Sequence, residues 1–333
     1  MSLTLSVLDQ SPISEGKTAE EALSETVALI QHVERLGYNR FWVSEHHDST
    51  SLAGSSPEVL AAHLAAKTET IRVGSGGIML PHYSPYKVAE NFRVLEGLNP
   101  GRIDLGIGRA PGGMPRATMA LHDGRPRNLN RFPAQIDELL DYLYDTLEED
   151  HPFFGLKAAP ITKTIPAIWL LGSSPSSAQL AAEKGLPYTF AQFINGEGGP
   201  QFSQYYRQHF QPSKLLSTPK NMVAVFVVCA ETEIEAERIA SSLDLLLLMM
   251  EQGMKIVGTP SPEKAAAYDY SPFERARMLE NRKRMIVGTP KQVRVSLNQL
   301  SEAYETDEVM IVSIMYDFQE KLNSFSFIAD AIL

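Results

Sequence analysis

Short apolar runs alternate with helix-like segments along the whole chain of 333 residues. The runs are continuously apolar, which is typical of parallel strands that are covered by helices on both faces. Eight of them can be counted, at residues 3–8, 41–44, 71–80, 103–107, 168–171, 188–193, 221–229 and 309–315. Eight βα units in a chain of this length predict the α/β class and a (β/α)₈ TIM barrel. A doubly wound sheet is the alternative, but no G-x-G-x-x-G fingerprint opens the first unit.

The chain shows no linker or low-complexity tract, so residues 1–333 are predicted to form one domain. The pentapeptide Ile-Val-Gly-Thr-Pro occurs twice, at residues 256–260 and 286–290. Threonine followed by proline is a common start of a helix, and we interpret both copies in this way. The polar stretch between the copies interrupts the last βα unit. Residues 251–286 are therefore predicted to be an insertion that could cover the barrel mouth as a lid.

Composition excludes several classes of protein. The formal net charge of −10 argues against a nucleic-acid or anionic-membrane partner, which would favour a basic face. Cys229 is the single cysteine, so an intramolecular disulfide is impossible. The N-terminus lacks a basic region followed by an apolar core, and the longest apolar run, residues 243–250, contains Asp244 and is too short to span a bilayer. A cytoplasmic location is therefore expected.

The second apolar run ends in Glu45-His46-His47. The carboxyl ends of barrel strands are where catalytic side chains lie, so these three residues are candidates for chemistry. Neighbouring residues on a strand point to opposite faces, and neither H-x-H nor H-E-x-x-H is present, so a shared metal ion is disfavoured. We interpret the motif as a mouth-facing imidazole that binds or transfers a proton, with a surface loop or a metal site as alternatives.

Two glycine-containing segments follow. Gly76-Gly77 lies inside a predicted strand. Because glycine weakens a strand, its presence there indicates a structural or functional requirement. Close approach of a flat ligand and a bulge at a barrel corner explain it equally well. Further on, Gly108-Arg109 ends a strand and opens a loop rich in glycine and proline. An arginine there is suited to phosphate, although a surface carboxylate is the alternative partner.

A serine-rich turn, Gly172-Ser173-Ser174-Pro175-Ser176-Ser177, joins a predicted strand to a predicted helix. Hydroxyls and backbone amides at a helix N-terminus form an anion-binding site. Ordinary N-capping by serine is the alternative interpretation.

Taken in order, these segments resemble the bacterial luciferase-like flavin monooxygenases. The resemblance rests on Glu45-His46-His47, on the glycine strand that runs into Leu80-Pro81, on Pro100-Gly101-Arg102 with Gly108-Arg109, and on the serine turn before Ala181-Ala182 and Gly185-Leu186-Pro187. It implies a barrel that binds reduced FMN in its mouth. One departure is Gly108, where luciferases carry a cysteine, and this argues against light emission and against a long-chain aldehyde substrate.

The resemblance also implies a role for each site residue. Arg109, Ser174 and Ser177 would hold the FMN phosphate, and Gly108, Gly172 and Ser173 would lend their backbone to the same cradle. Gly76 and Gly77 would be joined by a non-prolyl cis peptide beneath the isoalloxazine. His46 would be the catalytic histidine and Glu45 its supporting carboxylate, while His47 has no assigned role and no residue is assigned to a metal.

The expected activity is an FMN-dependent monooxygenase that oxidises a small organic substrate with molecular oxygen. A separate flavin reductase would supply reduced FMN, since no nicotinamide fingerprint is visible. Alternatives are an F420-dependent oxidoreductase of the same fold, a non-catalytic flavin-binding protein and a metal-dependent barrel hydrolase. The substrate pocket is expected to include Asp9, Gln10, His82, Gln192 and the insertion. The resemblance further implies a homodimer that forms through barrel helices.

Overall fold

The computed structural model describes residues 3–333. Over this range nine strands and twelve α-helices alternate. The strands are β1 Thr4–Asp9, β2 Arg40–Val43, β3 Arg72–Met79, β4 Ile103–Gly108, β5 Ala167–Gly172, β6 Tyr188–Ala191, β7 Asn221–Cys229, β8 Met285–Gly288 and β9 Glu308–Val312. The helices are α1 Ala19–Arg35, α2 Pro57–Ala65, α3 Pro85–Leu98, α4 Pro115–Leu121, α5 Phe132–Tyr144, α6 Pro175–Lys184, α7 Gly199–Gln208, α8 Glu233–Glu251, α9 Pro262–Ala267, α10 Pro272–Arg282, α11 Pro290–Tyr304 and α12 Phe318–Ile332.

Eight of the strands close into a parallel barrel, which confirms the (β/α)₈ prediction. β1 to β7 pair in chain order, and β9 closes the ring by pairing with both β7 and β1. All eight predicted strands are present. β8 is a ninth strand that the sequence did not reveal, and it pairs only with the second half of β7, from Phe226 to Cys229.

Alternate strand residues fill two separate cores, which explains why the strands are apolar throughout. On β9, Val309 and Ile311 face the layer of helices, whereas Met310 and Val312 join a smaller apolar cluster with Trp42 and the aromatic and aliphatic residues of other strands. Towards the amino ends of the strands, Arg40 lies between the buried carboxylates of Asp104 and Glu308. The interior is therefore a packed core, and catalytic side chains are expected at the carboxyl ends of the strands.

The predicted insertion, residues 251–286, forms α9, α10 and the start of β8. It runs across the loops that follow β1 and β2: Thr259 exchanges backbone hydrogen bonds with Ile13 and Glu15, and Thr50 Oγ1 donates to Ile256 O at 2.5 Å. An ion pair of 2.7 Å between Arg282 and the buried Asp244 fixes its far end to α8. The insertion therefore borders the barrel mouth, and its role as a lid stays a prediction.

The repeated pentapeptide has two different structures. Thr289 caps α11 and Pro290 is its first residue, as predicted. At the first copy the prediction is wrong, because Ser261 is the N-cap and α9 begins at Pro262. Thr259 is held instead in the backbone bridge to Ser14. Within residues 3–333, no helix combines the length and the apolar character needed to cross a membrane.

Candidate active site

The Glu45 carboxylate is a buried polar group at the mouth. It is 1% exposed and accepts three hydrogen bonds, from Met79 N at 2.9 Å, from Tyr83 Oη at 2.8 Å and from His47 Nε2 at 2.8 Å. These donors join the end of β2 to the end of β3 and to the turn after it. Burial and the Glu45 charge raise the pKa of Tyr83, which therefore remains a donor. Burial also raises the pKa of Glu45, although the three donors oppose the shift.

His46 lies apart from this carboxylate. Its backbone N donates to Gly54 O at 2.8 Å, and its Nδ1 shares a hydrogen bond of 3.0 Å with Ser44 Oγ. Burial, followed by repulsion from His47, lowers the pKa of His46 to about 4. The ring is therefore neutral near pH 7, so one ring nitrogen can accept a hydrogen bond while the other donates one.

The glycine pair forms a surface with no side chain of its own, packed against Leu8, Leu171 and the backbone of Gly106. The bond between Gly76 and Gly77 is cis, as the resemblance implies, and the register against β4 shifts between Gly76 and Ile78. A Cβ on Gly76 would lie 2.6 Å from Leu8 Cδ1, and one on Gly77 would lie 2.6 Å from Leu171 Cδ1. Real Cβ atoms do not approach so closely, so glycine is required at both positions.

Arg109 and the serine turn meet in space, although 64 residues separate Arg109 from Ser173. Arg109 Nη2 lies 3.5 Å from Ser176 Oγ, which is 3.0 Å from Ser174 Oγ at the N-cap of α6. A guanidinium, two hydroxyls and a helix N-terminus thus converge at the mouth. This combination binds phosphate well, because the helix dipole and the arginine both favour negative charge.

The other predicted residues of this site make contacts within the turn or lie next to it in the chain. Ser177 Oγ donates to Ser174 O at 2.7 Å and lies 3.1 Å from Tyr188 Oη, so its hydroxyl is used within the helix cap. A Cβ on Gly172 would overlap the Ser177 side chain. Ser173 contributes its carbonyl, which accepts from Asn195 Nδ2 at 2.9 Å. Gly108 is buried at the end of β4, immediately before Arg109.

Two polar residues at this site were missed by sequence reasoning. Ser176 is the serine that actually faces Arg109. Arg127 donates to the carbonyls of Arg109 and Ala110, and its Nε is buried with no hydrogen-bond partner among residues 3–333. A signal was available for Arg127, because residues 109–131 contain five arginines and one aspartate in a chain of net charge −10.

The metal alternative finds no support in side-chain geometry. Within residues 3–333, no group of three or more His, Cys, Asp or Glu side chains is arranged to hold a metal ion. His47 makes its Nε2 contact with Glu45, and the His47 ring packs edge to face against His82 at 6.0 Å between centroids.

Comparison with known proteins defines the class. Residues 3–306 match the family model of the luciferase-like monooxygenases. The chain is 59% identical to the uncharacterized protein YwcH of Bacillus subtilis, with 99% of each chain covered. It is 39% identical to the N-acetyl-S-alkylcysteine monooxygenase of the same organism, covering 99% of this chain and 98% of that one. The chain therefore belongs to the luciferase-like monooxygenase family and is an oxidoreductase.

Solved structures agree with this assignment. The crystal structure of apo-MsnO8 superimposes with a TM-score of 0.91 at 38% identity, over 99% of this chain and 98% of that chain. Two more distant structures share the fold. The oxygenating constituent of 3,6-diketocamphane monooxygenase from Pseudomonas putida, solved with FMN, has a TM-score of 0.72 at 19% identity, covering 99% of this chain and 98% of that one. An F420-dependent secondary alcohol dehydrogenase has a TM-score of 0.69 at 14% identity, covering 100% of both chains.

Proposed function

We propose that this protein binds reduced FMN in the barrel mouth and uses molecular oxygen to oxidise a small organic substrate. The observation that carries the proposal is the convergence of Arg109 and Ser176 at one side of a mouth that also contains the Gly76–Gly77 surface and His46. A separate flavin reductase would supply the reduced cofactor. The family membership supports the monooxygenase reaction.

The residues present fit a phosphorylated flavin. The phosphate would be held by the Arg109 guanidinium, by the Ser174 and Ser176 hydroxyls and by the N-terminus of α6. Arg127 supplies a second guanidinium whose Nε has no partner within the described chain. Within residues 3–333, no carboxylate lies within 4.0 Å of the Arg109 or Arg127 guanidinium. The positive charge of both arginines is therefore not neutralised by a carboxylate of the described chain. An anion would complete this set of donors.

The flat ring system would lie against the Gly76–Gly77 surface, where any side chain would collide with Leu8 or Leu171. Bound reduced flavin supplies the electrons that activate oxygen. His46 would hold or move a proton at the reacting edge, since it is neutral near pH 7. Glu45 fixes the backbone of Met79 and thereby the end of the strand that forms the flavin-binding surface.

A thioether is the first substrate class to test. The relative at 39% identity is named for N-acetyl-S-alkylcysteine, and it aligns with nearly the whole chain. F420 remains the alternative cofactor, because one structural neighbour depends on it. Incubation of the purified protein with FMN and with F420, followed by measurement of which cofactor is retained, separates the two.

We also propose that the protein is a homodimer that forms through α2 and α3. Large apolar side chains are exposed on both helices: Val59 is 67% exposed, Val94 47% and Leu98 71%. Burial of such side chains against a second copy would stabilise the dimer. Sedimentation of the wild-type protein and of Leu98→Glu tests this, and a wild-type monomer would contradict the dimer.

The central experiment measures FMN affinity. Replacing Arg109 with alanine should weaken binding about 10- to 100-fold, since hydrogen bonds to a charged group contribute about 1.5–3 kcal/mol. Arg116→Ala is the matched control, because Arg116 is an exposed arginine in the same loop with no side-chain hydrogen bond in the described chain. Equal affinity of the two variants would contradict the phosphate assignment. Oxygen consumption with reduced FMN and a thioether panel then tests the reaction.

A further inference from the structure

The segment between β4 and α5, residues 109–131, is attached to the barrel by few contacts. Its helix α4 has no buried residue, and Met114 and Met119 are largely exposed. At its start, His47 N donates to Gly112 O at 2.7 Å. Within residues 3–333, two side chains of residues 112–130 make hydrogen bonds outside that stretch. Arg127 donates to the carbonyls of Arg109 and Ala110, and His122 Nε2 lies 3.0 Å from His82 Nδ1, which belongs to the turn after β3.

The protonation of this pair follows from a third contact. His82 Nε2 lies 2.9 Å from Pro111 O, and a carbonyl can only accept, so Nε2 carries a hydrogen. Neutral His82 therefore has a bare Nδ1, and His122 Nε2 donates to it. His82 thus binds the segment at two points, at Pro111 near its root and at His122 beyond α4.

The same segment contains both arginines of the proposed phosphate site. Arg109 lies two residues before Pro111, and Arg127 lies five residues after His122 and donates to the carbonyls of Arg109 and Ala110. The position of both guanidiniums therefore depends on how the segment is held. His82 is 9% exposed and belongs to the rigid turn after β3, so it provides a fixed attachment point.

We propose that His82 and His122 are positioning residues whose mutual hydrogen bond holds residues 109–131, and with them Arg109 and Arg127, in the arrangement that binds the flavin phosphate. This inference rests on the proposed function. It assigns a role to two histidines that have no part in the flavin and phosphate contacts proposed above.

The pKa of His82 keeps its acceptor available. Burial, with the charges of Arg127, His122 and His47, lowers the pKa of His82, although the hydrogen bond to Pro111 O opposes the shift. The groups that face the pair are Arg127, His47 with its partner Glu45, and the Tyr83 ring. His82 is therefore neutral near pH 7, and its Nδ1 remains an acceptor for His122.

The first test measures amide hydrogen exchange of residues 112–131 without flavin. His122→Ala removes the donor, whereas His122→Gln keeps a non-titrating donor at the Nε2 position. Exchange should be faster in the alanine variant, and near wild type in the glutamine variant.

The second test repeats the comparison with FMN titrations. His122→Ala should weaken FMN binding about three- to tenfold at about pH 7.5, which corresponds to one net hydrogen bond. His122→Gln should bind nearly as the wild type does, because its amide can still donate to His82 Nδ1. The exposed histidine of α2, in His63→Gln, is the control.

Wild-type exchange and wild-type FMN affinity in His122→Ala would overturn the positioning role. Failure of His122→Gln to restore both exchange and FMN affinity would overturn the hydrogen bond as the cause. Failure of the wild-type protein to bind FMN would instead overturn the proposed function, and the exchange measurement distinguishes that result because it contains no flavin.

Discussion

Glu45 Oε1 accepts its imidazole hydrogen bond from His47 Nε2, at 2.8 Å, and none from His46. The three-residue motif therefore divides into a buried carboxylate–imidazole pair and a separate histidine. The pair joins β2 to the end of β3, where the carboxylate also accepts from Met79 N. The separate histidine is the candidate for chemistry.

Removal of His47 should reduce stability more than removal of His46. His47→Ala leaves the buried Glu45 with one donor fewer, which costs about 1–3 kcal/mol for an unsatisfied buried group. His47→Gln should lose less, because its amide nitrogen can still donate to Oε1. Urea unfolding of the three proteins measures the difference. Equal stability of wild type and His47→Ala would show that the pair does not support the fold.

His46→Ala should abolish most turnover while the protein still binds FMN. A positioned acid–base group contributes about 10²- to 10⁴-fold to a rate. The measurement is oxygen-dependent turnover of an accepted substrate, with His63→Ala as the exposed control. Wild-type turnover in His46→Ala would remove this histidine from the mechanism.

His46 should also give a definite pH dependence of stability. Burial lowers the pKa of His46 to about 4, below the 6.5 of a free histidine. The unfolded chain therefore takes up a proton more readily, and stability is lost as the pH falls from about 6.5 towards about 4. His46→Gln should flatten this part of the stability profile. An unchanged slope would indicate that His46 is not buried as a neutral ring.

A methyl group added to Gly76 would lie closer to neighbouring atoms than one added to Gly108. Gly76→Ala would place a Cβ 2.6 Å from Leu8 Cδ1 and 3.0 Å from Trp42 Cβ, inside the packed barrel. We expect a loss of about 1–3 kcal/mol in unfolding free energy, the usual result of overpacking. Gly108→Ala meets only the flexible end of Met79, at 3.3 Å, and should be tolerated. Thermal unfolding distinguishes them, and equal midpoints would contradict the close packing.

Arg40 holds together two buried carboxylates at the base of the barrel. Its guanidinium lies 2.6 Å from Asp104 and 2.6 Å from Glu308, and it is 4.9 Å from the centroid of the Trp169 ring. Arg40→Met should cost about 3–5 kcal/mol, because the buried Glu308 loses its ion-pair partner and Asp104 keeps only Arg72 as an ion-pair partner. Exposed Arg116→Met is the control, and a change of similar size in both variants would contradict this role.

The same network predicts sensitivity to acid. Burial alone would raise the pKa of Glu308, but the charge and hydrogen bonds of Arg40, with those of Ser6 and Asn39, lower it below the usual 4.5. Glu308 therefore stabilises the fold above about pH 4.5, and this contribution is lost as the pH falls through its folded value. In the double variant Arg40→Met/Glu308→Gln, the unfolding free energy should depend less on pH in this range.

Strand prediction succeeded where an apolar run stood apart from a helix-start motif. All eight predicted strands are present, including the four-residue strand that ends before Glu45. β8 has the same length but leads directly into the helix-start motif at Thr289-Pro290, so local sequence suggested only the helix. Its pairing with Phe226–Cys229 lies 59 residues away in the chain and leaves no local periodicity.

The candidate site was predicted residue by residue but not as a set of contacts. Arg109 and the serine turn were both identified as anion binders, and the structure brings them together through Ser176 rather than Ser177. Arg127 and His122 were not identified, because a polar residue in an irregular loop carries no periodic signal. Glu45 was expected to support His46, and its actual imidazole partner is His47.

The amino-acid sequence by itself determined the class of fold and the chemistry available at the mouth. Continuous apolar runs that alternate with amphipathic helices can bury themselves only between two layers, and parallel strands place their carboxyl ends on one side. Which polar groups meet there was decided by tertiary structure alone. The pairing of Glu45 with His47, of His82 with His122 and of Arg109 with Ser176 depends on how loops from different strands pack, and that packing is set by contacts between residues distant in the chain.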